Sequence, residues 1–431
     1  MEVTVNSREI IKPARPTPAH LRVLELSFLD QITAPLFAPM IYFYSPPPPP
    51  AAAADGSTAL KTSLSDTLTV FYPLAGRLVG TCHVDCNDEG VQYVEAHAKV
   101  PLSHLLAVSD LSLLNCLLPF PHLADASKLP LAVQVTFLGC GGIVIGTCFN
   151  HKIADAVSIM YFMKSWAGRA KSGHLSSMKC HGFDLARVFP PRDMPKMKTT
   201  SIVNAKKERI VAKRFVFCAS ALSMLRAKYG NSLIHPTRVE ALSAFLWTKI
   251  LAATQGGGGV PKTHSLLFHM VNLRTRLNPP LPELYFGNVV GYAMVVQPCN
   301  SKADVSGFVA QTREATRRID GQYLGRFLYE HLVSNSTLLS CAKEAAEVLQ
   351  LTFSSTWRLP VYDADFGWGR PLWVTMAQQA KKNLIFFFPT RLGNGIEALV
   401  HLKEDEMARL EADEEFSAFL SSATAQLPSS L

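Results

Sequence analysis

The chain has 431 residues, 48% of them apolar and 18% charged, with a net charge of +8. That length exceeds one compact core, which points to two domains or one large two-lobed fold, and the balance excludes a disordered chain. No apolar run approaches the roughly 20 residues that span a bilayer. The N-terminal "MEVTVNSREIIKPARPTP" lacks the hydrophobic stretch of a secretory signal, so a cytoplasmic protein without a membrane partner is expected.

In chain order, "APMIYFY" reads as a strand and "SPPPPPAAAADGS" (Ser45 to Ser57) as a surface loop, because its five prolines lack N–H donors. In "ALKTSLSDTLTVFYPLAGRL" the apolar Leu60, Leu64, Leu68 and Phe71 recur at amphipathic-helix spacing. "VQYVEAHAKV" and "LAVQVTFLGCGGIVIGTCF" are β-branched, strand-length runs broken by glycine, and a helix is predicted from about Ala154 to Ala170. From Lys171 to Arg209 no period persists, and several prolines mark a crossover between lobes.

The second half restarts with "RIVAKRFVF" as a strand. Helices follow at "SALSMLRAKYG" and at "TRVEALSAFLWTKILAAT", the latter with Thr237 as N-cap and Val239, Leu242, Phe245, Leu246 and Ile250 at helical spacing. "SLLFHMVNL" then reads as a strand, the stretch from about Ser306 as a helix, and "LWVTM", "NLIFFFP" and "GIEALVHL" as strands. "KEDEMARLEADEEFSAFL" reads as one amphipathic terminal helix. Strands and helices mix without strict alternation, which favours an α/β fold of mixed sheets flanked by helices.

Between Lys164 and Arg214 stand thirteen Lys/Arg against three Asp/Glu, leaving 29 and 31 elsewhere, so the basic excess is local. The window carries no nucleic-acid recognition motif, and a solvated linker or a small polyanion suits it as well. Nine cysteines occur without a C-x-x-C pair. Cys82 and Cys86 have no second pair to complete four zinc ligands, so reduced, mostly buried thiols and no metal are expected.

In "TCFNHKIADAVSIM", His151 closes a strand and Asp155 opens a helix. Imidazole can take and return a proton at neutral pH, and a strand end facing a crevice is a common place for such a group. The bland alternative is a hydrogen-bonded histidine beside a helix-start aspartate. No H-E-x-x-H and no G-x-S-x-G accompanies the pair, which argues against zinc and against a serine hydrolase. Spacing alone leaves the first two readings open.

A second segment, "SSTWRLPVYDADFGWGRP", contains D-F-G-W-G from Asp365 to Gly369. H-x-x-x-D followed by D-F-G-W-G resembles the plant BAHD acyltransferase family. "LSFLDQ", "RVEALSAFLW", "VNLRTRLNPPLPELYFGNVVGY" and "GIEALVHLKEDEMARLE" extend the resemblance in order along nearly the whole chain. Ala156 stands where the family usually has glycine, and "YFGNV" carries Val289 where a flavonoid-glycoside branch has cysteine.

The resemblance implies two lobes like chloramphenicol acetyltransferase with a solvent channel between them. It implies acyl-CoA as co-substrate, with no bound cofactor, and an alcohol acceptor such as an alkaloid, terpenoid or volatile alcohol. The branch implied is the one acylating alkaloids and volatile alcohols, with acetyl-CoA first among donors. His151 would be the general base. Asp155 would be structural, in an ion pair that orients its loop. Asp365, sometimes given as a second proton acceptor, would instead pair with Arg274, and Gly367 and Gly369 would permit a tight turn beside the CoA path. Ser355 and Trp357 would donate to the oxyanion, with core aromatic and turn residue as the bland alternative. Thr237 would open a helix whose N-terminus faces CoA phosphates. The expected lobes are 1–170 and 210–431, joined by a basic crossover over 171–209, in a monomer that binds no nucleic acid. Alternatives within the resemblance are a benzoyl, tigloyl or hydroxycinnamoyl donor, an amine acceptor, or a non-catalytic ligand-binding member.

Overall fold

Strands β1 (Val3–Ile11) and β2 (Val23–Glu25) precede the short helix α1 (Phe28–Ile32) and β3 (Phe37–Tyr44), the predicted "APMIYFY" strand. Every residue of β3 is buried, as a central strand covered on both faces requires. The computed structural model describes residues 1–47, 55–120, 128–173, 182–193, 209–258, 260–299, 305–320 and 347–421. Most of the proline loop therefore lies outside the described residues, and helix α2 (Asp55–Val70) begins at its end. The predicted stripe of Leu60, Leu64 and Leu68 is buried, with Phe71 just beyond the helix. Strands β4 (Arg77–Val79) and β5 (His83–Asp85) join β2 in a small sheet. Then come β6 (Val91–Ala98), α3 (Leu102–Leu106), β7 (Leu131–Leu138), β8 (Ile143–Asn150) and helix α4 (Ala156–Ser172).

Helix α4 starts one residue after Asp155, which is its N-cap rather than part of its first turn; the carboxylate accepts the Ser158 N–H at 2.9 Å. Gly173, at φ 69°, ends the helix in the left-handed conformation. The crossover expected from Lys171 thus begins later, and its described part, 182–193, holds the short helix α5 (Leu185–Val188).

The second half contains β9 (Ile210–Phe217), α6 (Ala219–Tyr229), α7 (Arg238–Gln255), β10 (His264–Asn272), β11 (Val290–Pro298), α8 (Val305–Arg317) and β12 (Val348–Ser355). It ends with β13 (Trp373–Thr375), β14 (Leu384–Pro389), β15 (Ile396–Lys403), α9 (Glu404–Glu411) and α10 (Glu414–Ala418). The single terminal helix expected from the sequence is two, because Asp413 caps a new one by accepting the Phe416 N–H at 2.7 Å.

Two six-stranded sheets result, in the orders β1-β6-β7-β8-β3-β13 and β11-β10-β12-β14-β15-β9. The pairs β6–β7, β10–β12 and β12–β14 are parallel and the others antiparallel, which is the expected mixed α/β architecture in two lobes. The expected boundary at 171–209 does not divide them cleanly. Strand β13 leaves the second half and pairs with β3, Trp373 opposite Phe43, with the two rings stacked at 4.9 Å. At the junction the Arg214 guanidinium lies 4.1 Å above the Trp373 ring and makes a two-pronged pair with Glu397, both side chains buried.

The local basic excess has a structural use. Lys164, Lys171, Arg209, Lys213 and Arg214 pair with Asp363, Asp365, Glu404, Glu411 and Glu397, so basic groups on either side of the crossover are matched by acidic groups between residues 363 and 411. Cysteine usage differs from expectation in one respect. The seven described thiols are free, but only Cys86, Cys148 and Cys299 are buried. Among the described residues no helix is long and apolar enough to cross a membrane, and no group of three or more His, Cys, Asp or Glu could hold a metal ion.

Candidate active site

His151 follows directly on β8, half-buried, its backbone N–H held by the Leu36 carbonyl at 2.8 Å. Its ring Nδ1 lies 3.2 Å from Oδ1 of Asn288. The orientation of that amide is fixed from its other side. Asn288 Nδ2 reaches Asp30 Oδ1 at 2.8 Å and the His151 carbonyl at 2.7 Å, and a carbonyl can only accept. Nδ2 is therefore the donor, Oδ1 faces the ring, and Nδ1 carries the proton. Among the described residues nothing is bonded to Nε2, whose lone pair can act as a base.

Asp30 in turn accepts from four donors: the Ser27 N–H and hydroxyl, and the Asn288 backbone and side-chain N–H groups. Burial raises its carboxyl above the usual range against those donors. Neither Asp30 nor Asn288 was singled out from the sequence. Asp30 had a signal, since Ser27 and Asp30 form a reciprocal helix-start box, S-x-x-D, in "LSFLDQ". Asn288 had only its place after a glycine inside an apolar run.

Asp155 does not face His151. It caps α4, accepts the Val289 N–H at 3.1 Å, and makes a two-pronged ion pair with Arg274 at 2.7 and 3.0 Å. Burial pushes the Asp155 carboxyl up, and the Arg274 guanidinium more than reverses this, leaving it below the ordinary carboxylate range. Arg274 also donates to the Tyr285 and Gly287 carbonyls. One buried pair thus ties the N-terminus of α4 to residues 285–289, the segment that presents Asn288 to His151. Gly287 has φ 124°, and a Cβ there would meet Leu185 Cδ2 at 2.8 Å, so the segment needs glycine at this point. Replacing Asn288 with alanine removes the hydrogen bond that fixes the His151 ring. The expected result is a kcat lowered about 10- to 100-fold, since such bonds contribute about 1.5–3 kcal/mol, with a loss of stability of about 1–3 kcal/mol because Asp30 and the His151 carbonyl each lose a buried donor. Steady-state kinetics beside thermal unfolding checks it.

The expected Arg274–Asp365 pair does not exist. Asp365 bonds Lys171 at 2.6 Å, and its other oxygen accepts the Gly367 and Gly369 N–H groups at 2.9 Å each. Lys171 is near the C-terminal end of α4, and the helical rise from Asp155 is about 24 Å. Asp365 is accordingly remote from His151 and is no proton acceptor for it. Gly367 and Gly369 do make a tight turn, at φ 104° and 103°. Their turn sets Phe366 and Trp368 against Tyr44, and Phe366 against Trp166, so D-F-G-W-G closes the core of the first lobe. Asp365→Asn is expected to leave kcat within about threefold of wild type and to cost about 1–2 kcal/mol of stability, as for one lost charged hydrogen-bond partner. Urea unfolding beside kinetics distinguishes the two effects.

Two further expected residues, Ser355 and Trp357, lie at and just beyond the end of β12. Strands β10 and β12 run parallel with His269 opposite Phe353, so Arg274 and Ser355 follow the same ends of their strands. Ser355 is exposed, and its Oγ accepts the Trp357 N–H at 3.3 Å. The Arg238 guanidinium lies 5.2 Å over the Trp357 ring, which packs against the core of the second lobe. Thr237 caps α7 as predicted, but its hydroxyl is engaged by the Glu240 N–H and the Glu240 carboxylate returns to the Thr237 N–H. Glu240, paired with Arg313, places negative charge at this helix start. The end expected to face CoA phosphates is thus already capped.

The Transferase family model, that of the BAHD acyltransferases, matches residues 1–417. The chain belongs to this family. It is 36% identical to epi-neemfruitin B synthase of Melia azedarach, covering 98% of this chain and 99% of the relative. It is 34% identical to a limonoid 21-O-acetyltransferase of Citrus sinensis, again over 98% and 99%. The crystal structure of vinorine synthase matches with a TM-score of 0.82 and 33% identity, covering 98% of this chain and 99% of that one. A complex of TRI101 from F. graminearum with coenzyme A and deoxynivalenol matches with a TM-score of 0.73 at 14% identity, a likeness of fold. Membership makes this an acyltransferase of that fold.

Proposed function

We propose that the chain transfers an acyl group, acetyl first among donors, from a coenzyme A thioester to a hydroxyl of a plant specialised metabolite of alkaloid or terpenoid type. The observation that carries the reading is the fixed tautomer of His151, bound at Nδ1 by Asn288 and free at Nε2. The relatives named as limonoid and stemmadenine acetyltransferases support the acetyl donor and the kind of acceptor.

In this mechanism Nε2 takes the acceptor's hydroxyl proton as its oxygen attacks the thioester carbonyl. The tetrahedral adduct then expels the CoA thiolate, which recovers the proton from Nε2, so ester and free thiol form and the enzyme is unchanged. No covalent enzyme intermediate is required, and both substrates are held together. Asn288 supports the positive charge on the ring between the two proton transfers. The Ser355 hydroxyl and the Trp357 indole N–H are the proposed oxyanion donors, at and just beyond the end of β12. The protein works as a cytoplasmic monomer in this reading.

The test is free-thiol release by purified protein from a panel of acyl-CoA thioesters, with and without alcohols. Release that requires one thioester together with an alcohol supports the proposal and names the donor. Release no greater than that of the His151→Ala variant with every combination, together with failure of acyl-CoA to raise the melting temperature, overturns it.

A further inference from the structure

The support of His151 is assembled from segments with little rigidity of their own. Helix α1 has five residues, too few for a helix to be stable alone in water. Residues 286–289 belong to no helix or strand. The two segments meet beside the ring, where Asp30 Oδ1 accepts the Asn288 backbone N–H at 3.1 Å and its side-chain N–H at 2.8 Å. Lys152, the residue after His151, fixes the C-terminal end of α1 by donating from Nζ to the Gln31 carbonyl at 2.6 Å. The other end of α1 and the residues before Asn288 are both held by the described part of the crossover.

Three consecutive crossover residues engage the three residues that precede Asn288. The Phe183 ring lies 5.0 Å from that of Phe286, Asp184 Oδ1 accepts the Tyr285 hydroxyl, and Leu185 packs where a Cβ on Gly287 would stand. Gly182, at φ 71°, brings the chain so near that a Cβ on it would meet the Tyr285 ring at 2.8 Å. Farther along, the Phe189 carbonyl accepts the Phe28 N–H at 3.0 Å, one of the N-terminal donors that α1 cannot satisfy itself. The Arg192 N–H donates to Oε1 of Gln31 at 3.0 Å, and the Arg192 guanidinium lies 4.7 Å over the Phe28 ring. Phe28, Leu185 and Tyr285 are buried in one cluster, on which Phe189 packs. Among the described residues the crossover makes no hydrogen bond to His151, so whatever it does for the ring it does through these two segments.

Resting on the acyl-transfer reading for its effect on turnover, we propose that residues 182–192 are a strap built into the active site, with Asp184 and Leu185 as positioning residues for the histidine base. The strap holds α1 and residues 285–287 against each other, which keeps Asn288 Oδ1 on the ring Nδ1. With the strap loosened, Asn288 leaves the ring and the proton is no longer confined to Nδ1. A ring protonated at Nε2 has no lone pair there and is no base toward the acceptor. The loss falls on proton transfer, so kcat changes and the KM for acetyl-CoA does not.

The experiment uses the full chain with isotope-labelled histidine and reads the ring nitrogens of His151 by NMR, their signals assigned by their loss in His151→Ala. Wild type is expected to show the proton on Nδ1. In the double variant Asp184→Ala/Leu185→Ala the signals are expected to move toward a mixture of the two tautomers. Its kcat with acetyl-CoA and a tetracyclic triterpenoid alcohol is expected to fall about tenfold at unchanged KM for acetyl-CoA, the scale of a small misplacement of a reacting group. Unchanged signals from the other histidines report that the variant is folded. Asp184→Asn, whose amide oxygen still accepts the Tyr285 hydroxyl, is expected to keep the wild-type ring signals and rate, and Asp184→Ala to lose both in part. A strap that served only stability would lower the melting temperature and leave the ring signals in place, so unchanged His151 signals in the double variant overturn the proposal whatever the rate. Equal losses in Asp184→Asn and Asp184→Ala overturn the role given to Asp184. Absence of acyl transfer by the wild-type chain counts against the proposed function alone, and the ring signals then still decide the strap.

Discussion

Replacing His151 with alanine is expected to lower kcat by about two to four orders of magnitude, the usual contribution of a positioned general base. The reason lies in how little else at the site can do its work. Asp155 is turned away into the Arg274 pair, and Asp365 sits beyond the far end of α4. On the proposed mechanism the variant should keep any affinity for acetyl-CoA, because the ring is assigned to the proton transfer and its support is built from the main chain of His151 and from Asn288. Pre-steady-state thiol release at saturating acetyl-CoA measures the effect directly. A rate near that of the parent would remove His151 from the proposed mechanism and leave the hydrogen-bonded geometry around it without a chemical purpose.

The largest effect on stability is expected at the pair between Asp155 and Arg274. Both side chains are buried, and breaking such a pair from one side strands a charge in the interior, at a cost of about 3–5 kcal/mol. Arg274→Leu should therefore lower the free energy of unfolding by that amount, while Lys171→Ala, which removes an exposed partner of Asp365, should cost less than about 1 kcal/mol. A double variant, Asp155→Leu with Arg274→Leu, is expected to be less destabilised than the single one because no charge is left unpaired. The pair also sets a pH limit. The folded-state carboxyl of Asp155 titrates below its ordinary value of 3.8, so its contribution is fully present above that value and is lost as the pH falls through the lower one. Guanidinium titrations at pH 7 and below pH 4 check the sign: the difference between wild type and Arg274→Leu should shrink in acid.

Much of the fold was legible in the chain, for reasons that can be stated residue by residue. Leu60, Leu64 and Leu68 fall inward because a helix repeats every 3.6 residues, and Thr237 caps because its hydroxyl is placed to reach the third N–H beyond it. The partner of Arg274 was misread because two carboxylates with family-like surroundings competed for it. The length of α4, itself readable from its apolar spacing, sets Asp155 about 24 Å along the helix axis from Lys171, the partner of Asp365. The division of the terminal helix turned on Asp413, an acceptor in a run of acids where nothing marks one as a cap. Asn288 was invisible as a site residue because its importance comes entirely from what stands on either side of it in space, Asp30 and the His151 carbonyl, from segments far away in the chain.

Strand β13 has a consequence for how the protein is made. Until residues 373–375 have been synthesised, the outer edge of β3 stays unpaired and the Phe43 ring lacks its stacking partner. A nascent chain that has already collapsed its first sheet must therefore carry an open, apolar strand edge through translation of most of the second lobe, the condition under which edges find wrong partners. The first lobe is in this sense finished last, and a gene split at the crossover would deliver a first piece lacking one strand of its own sheet and a second piece carrying that strand without its partner.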